Sequence, residues 1–96
     1  MNTTDLFDRM AGELAASGAV EEARDGRRTL TLDGAPFARL VDDGAEVYLP
    51  DGSAARADAL ALPAVSEAGG GWLTVTDGDV AAWPVLFEQA LAGLRR

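Results

Sequence analysis

Three residue types that carry much of enzyme chemistry are missing from this chain of 96 residues: cysteine, histidine and lysine. Without cysteine there is no disulfide, no thiolate nucleophile and no cysteine-ligated zinc or iron–sulfur cluster. Without histidine there is no imidazole base and no ordinary transition-metal site. Without lysine there is no Schiff base and no phosphate-gripping ammonium. Long apolar runs are absent too; no stretch reaches the roughly 18 residues of a membrane span. The first ten residues, MNTTDLFDRM, are polar and acidic, with neither the basic start nor the apolar run of a signal peptide, so a cytoplasmic location is expected.

What remains is an ordinary globular composition with a skewed charge. Hydrophobic residues make up 48% and charged residues 25%. All eight basic residues are arginine, set against 16 acids for a net charge of -8. Such an excess disfavours nonspecific contact with nucleic acid or an anionic membrane. The length suits one domain, residues 1–96, with one modest core.

Residues 4–16 read as an amphipathic helix. Leu6, Phe7, Met10, Ala11, Leu14 and Ala15 recur at helical spacing, Thr3 or Thr4 serves as N-cap, and Gly18 is the stop. Residues 19–50 read as an antiparallel meander. Its turn signals are Asp25-Gly26, Asp33-Gly34 and Asp43-Gly44, because a two-residue type I′ turn needs positive φ at both central positions. The runs between them are Val20 to Arg24, Arg28 to Leu32, Phe37 to Val41 and Glu46 to Leu49. Ser53 caps a short helix over about 54–62, with Ala57, Leu60 and Ala61 inward, and Pro63 ends it. Residues 63–71, with Gly69-Gly70-Gly71, read as a loop, and Trp72 to Thr76 as a strand. A last helix carries a stripe of Val80, Trp83, Phe87, Ala90, Leu91 and Leu94. Pro84 fits at its first position, with 79–82 as a separate turn. The expected fold is therefore an α+β two-layer sandwich: helix, three or four strands, short helix, one or two strands, helix. Both long helices lie on one face of an antiparallel meander sheet and the other face is partly open.

This order and several residues resemble the small bacterial MmcQ/YjbR-like proteins and the related TfoX N-terminal domain. The segments that carry the resemblance are Gly34-Ala35-Pro36-Phe37-Ala38-Arg39-Leu40, Leu49-Pro50, Gly71-Trp72-Leu73-Thr74-Val75, and the stripe around Trp83 and Leu91, within residues 20–94. The resemblance implies a two-layer fold of the secretion-chaperone type. It also implies a DNA-binding role of the kind proposed for those proteins, and it brings no catalytic residues with it.

Arg24, Arg27 and Arg28 surround the first turn, with Arg39 near them. Residues 24–39 hold four Arg and two Asp, a local +2 on a chain whose remainder is -10. Such a hairpin tip reads either as a wing touching phosphates or as arginines pairing with Glu21, Glu22 or Asp33. Glu21-Glu22, Asp42-Asp43 and Asp77-Gly78-Asp79 are acidic pairs, but neighbours on a strand face opposite ways and the others suit turns and helix starts. No metal or cofactor is expected. Trp72, Trp83 and Tyr48 are candidates for a pocket or interaction surface, although a small core more often absorbs large aromatics. The expected function is a non-catalytic binding module with a protein partner or a second copy of itself. The alternatives are a DNA-binding accessory using the Arg hairpin, and a small-ligand carrier or weak enzyme using a carboxylate with Arg39 or Tyr48.

Overall fold

The structure, a computed structural model, describes residues 2–95. Helix α1 spans Thr3–Ala15 and is capped by Asn2, whose Oδ1 accepts from the Asp5 N–H at 2.8 Å. The cap is therefore one residue earlier than Thr3 and two earlier than Thr4, and both threonines lie inside the helix. Leu6, Phe7, Met10 and Leu14 are buried as expected, whereas Ala15 is exposed.

Four strands follow as a meander: β1 Val20–Arg24, β2 Arg27–Leu32, β3 Ala35–Val41 and β4 Gly44–Tyr48. The first two turns are built as their Asp-Gly pairs demand, with positive φ at Asp25, Gly26, Asp33 and Gly34. The third is not. Asp42 and Asp43 make that turn, and Gly44 is already the first residue of β4, opposite Val41. Gly44 is required for another reason: a Cβ there would lie 2.0 Å from the Val75 carbonyl oxygen on a neighbouring strand.

Helix α2, Ala54–Leu60, is capped by Ser53, whose Oγ accepts from the Arg56 N–H at 3.2 Å. It buries Arg56 and Ala59; the residues expected inward, Ala57, Leu60 and Ala61, are exposed. The segment read as a loop contains strand β5, Val65–Gly69, which pairs with β6, Trp72–Thr76, across the Gly70-Gly71 turn. Gly71 is needed for close approach, since a Cβ would come within 2.7 Å of the Tyr48 ring. A 3-10 turn over Asp77–Asp79 leads to α3, Ala82–Leu94. Pro84 is the third residue of α3 rather than the first, which is harmless because N–H groups of the first turn have no partner within the helix. Val80 precedes the helix and is exposed, so it drops out of the expected stripe.

The sheet has six strands in the order β1-β2-β3-β4-β6-β5, all antiparallel. Helices α1 and α2 each pack on α3, so all three lie on one side. Strand alternation sends Leu30, Ala45, Val47, Leu73 and Val75 into the core beneath them. β3 carries one irregularity: Thr31 pairs with Pro36 and Leu30 with Ala38, leaving Phe37 as an extra residue. This bulge lets Phe37 and Ala38 both enter the core and returns Arg39 to the other face. Phe7, Phe37, Trp83 and Phe87 fill the centre with no exposure, each contributing on the order of 1.5–3 kcal/mol of burial. Phe87 stacks on Trp83 at 5.7 Å and meets Phe7 edge-on at 6.0 Å.

Candidate functional site

The side of the sheet away from the helices carries the chemistry. One row across it, set by strand register, runs Thr29, Arg39, Glu46, Thr74 and Ser66. Arg39 Nε donates to Glu46 Oε1 at 2.5 Å, and this pair is half-buried. The Arg39 guanidinium also lies 4.1 Å from the centre of the Trp72 ring, a cation–π contact worth roughly 0.5–2 kcal/mol. Trp72 in turn meets Tyr48 at 5.5 Å, and Tyr48 is its partner in the register. Tyr48, Trp72 and Arg39 thus form a continuous half-buried ledge on the open face.

Next to the ledge is a groove of about 420 Å³ lined by Arg24, Asp25, Arg27, Thr29, Pro36 and Arg39. Three of the four arginines singled out by sequence meet here. Arg24 donates through Nη2 to the Gly34 carbonyl at 2.8 Å and to Glu22 at 3.2 Å. Glu22 also accepts from the buried Thr31 hydroxyl at 2.9 Å. Among the described residues, the Arg27 side chain has no ion pair or hydrogen bond.

The fourth arginine is not in the groove. Arg28 follows Arg27 on the strand and so points the other way, toward α1. It pairs with Asp8 at 2.5 Å and with Glu21 at 2.7 Å, and lies 5.1 Å from the Phe7 ring centre. The Glu21 hydrogen bond, with Asp8 beside it, raises the pKa of Arg28 above its usual value despite partial burial. Trp83 is also withdrawn from any surface: it has no exposure, and its Nε1 donates to the Thr76 carbonyl at 3.0 Å.

Arg56 was not among the sequence candidates, yet among the described residues it is the one buried charge. It donates to the Leu49 carbonyl at 3.0 Å and to Glu67 at 2.6 Å, and pairs with Asp51 at 3.2 Å. It ties α2 to the end of β4 and to β5, a structural role. A second cleft, of about 610 Å³, opens at the end of the sheet beside Thr3, Arg27, Arg28, Asp42 and Asp43, so Arg27 borders both openings. Among the described residues no three acidic side chains converge as a metal site would require, and no helix is long and apolar enough to cross a membrane. Comparison with protein-family models, curated proteins and solved structures gives no match for this chain.

Proposed function

We propose that the chain is a non-catalytic, cytoplasmic binding module whose open sheet face takes a protein partner. One observation carries this reading: Tyr48, Trp72 and Arg39 stand together, locked by mutual contact, on the face that no helix covers. Tyrosine, tryptophan and arginine are the types that dominate binding energy at protein interfaces. Their contacts hold them in place before a partner arrives, which lowers the ordering cost of association.

The alternative, a DNA-binding accessory as the MmcQ/YjbR resemblance implies, draws on the meeting of Arg24, Arg27 and Arg39 in one groove. Against it, Arg24, Arg28 and Arg39 each already hold a carboxylate of this chain. A net charge of -8 further opposes a polyanion.

The test is quantitative affinity capture with the native protein and with Tyr48→Ala/Trp72→Ala, combined with light scattering to detect a second copy as the partner. The expected result is a protein retained by the native chain and lost from the folded variant. Equal retention by both would remove the open face from the mechanism.

A further inference from the structure

The groove beside the ledge has a chemistry of its own. Three guanidinium groups line about 420 Å³ of open space, on a body that is otherwise strongly acidic. The carboxylates of Glu22 and Glu46 sit on Arg24 and Arg39; among the described residues Asp25, which also lines the groove, forms no ion pair, and Arg27 holds no carboxylate. Thr29, buried, also lines it, its hydroxyl donating to the Arg27 carbonyl at 3.3 Å. Arg39 belongs to both the groove and the ledge, so the two adjoin at its guanidinium.

We infer that the groove receives a carboxylate side chain from an acidic segment of the protein partner. Arg27 is the receiving guanidinium, Arg24 and Arg39 flank it, and an apolar neighbour of the acid lies on the Trp72–Tyr48 ledge. This rests on the reading of the open face as a partner surface. Two features favour a carboxylate over a phosphate chain. One uncommitted arginine suits a single bidentate fork, whereas a polyanion draws its affinity from many phosphate contacts at once. Moreover, the guanidinium groups flanking the site each already hold a carboxylate, at 3.2 Å for Arg24 and 2.5 Å for Arg39, so an incoming acid can exchange with one of the same kind.

The experiment is an NMR titration of the full chain, following the Nε–Hε signals of Arg24, Arg27 and Arg39 and the amide of Thr29. The probes are acetyl-Glu-Glu-Leu-amide, its Gln-Gln counterpart, inorganic phosphate and a ten-residue oligothymidylate. The acidic peptide is expected to shift these signals and saturate in the millimolar range, as for one exposed charge-assisted contact. Arg27→Gln should weaken binding roughly fivefold without altering the fold, since Arg27 supports no other described side chain. Arg9→Gln, on the far helix, should leave it unchanged. Equal shifts from the Gln-Gln peptide, or none at about 10 mM acidic peptide, overturn the assignment. Tighter binding of phosphate or oligothymidylate overturns it in favour of a phosphate site. If partner capture needs Tyr48 and Trp72 but not Arg27, the module stands and the carboxylate site falls; if it needs none of them, both fall.

Discussion

Two glycines make a matched experiment, because the same added methyl group should act with opposite sign at each. Gly44 opens β4 and is buried against β6. An added Cβ would lie 2.0 Å from the Val75 carbonyl oxygen and 3.0 Å from Thr76 Cα, both backbone atoms of a paired strand. Ordinary contact for such atoms begins near 3.4 Å, so the strands must separate by more than an ångström at the end of their ladder. Overpacking of this kind costs about 1–3 kcal/mol, and loss of a ladder hydrogen bond adds about 1 kcal/mol. Gly44→Ala is therefore expected to destabilise by about 2–4 kcal/mol, lowering Tm by roughly 8–30 °C for a domain of this size. Gly12 lies on the exposed side of α1 with nothing within 4 Å of a new Cβ. Gly12→Ala should stabilise by about 0.5–1 kcal/mol through the gain in helix propensity. Urea unfolding followed by circular dichroism measures both. A Gly44→Ala effect below about 0.5 kcal/mol, within the range of a neutral surface change, would refute the close-approach argument.

Other expectations test the remaining contacts. Arg56→Leu should cost about 1–3 kcal/mol in urea unfolding, because the Leu49 carbonyl loses its donor, while Glu67→Gln at the exposed end of the same pair should cost under about 1 kcal/mol. Trp83→Ala should cost about 3–5 kcal/mol as a core truncation. Trp72→Ala should cost only about 1 kcal/mol, chiefly its contact with Arg39; equal losses would contradict the division between core and ledge. A labelled duplex titrated at about 50 mM salt should show no micromolar binding by anisotropy, and binding there that disappears at about 200 mM would favour the nucleic-acid reading.

Local signals were legible wherever the determinant was local. Asp25-Gly26 and Asp33-Gly34 adopt the positive φ values that their residue types suit. Asp43-Gly44 looks the same in sequence, but its glycine answers to Val75, a contact that no local pattern encodes. The segment Val65–Gly69 has little strand propensity of its own and is extended because β6 offers a ladder. Arg56 is buried because Leu49, Asp51 and Glu67 converge on it from outside α2. Arg27 and Arg28 are adjacent on a strand, so alternation turns them to opposite faces and only Arg27 lines the groove of the open face. Arg39 is the reverse case. Simple alternation from Phe37 would have buried it, and only the bulge between Pro36 and Ala38 brings it out.

The edge-on contact between Phe7 and Phe87 has a consequence for synthesis in the cell. The β1–β4 meander can zip together hairpin by hairpin as it leaves the ribosome. Helix α1 cannot finish its packing until α3 exists, about 80 residues later. At ordinary elongation rates that delay is on the order of 4–16 s. Throughout it Leu6, Phe7, Met10 and Leu14 form an apolar stripe without its final partner. A newly made chain is thus most exposed to misassociation at its first helix, and slower translation of residues 82–94 should lengthen that exposure.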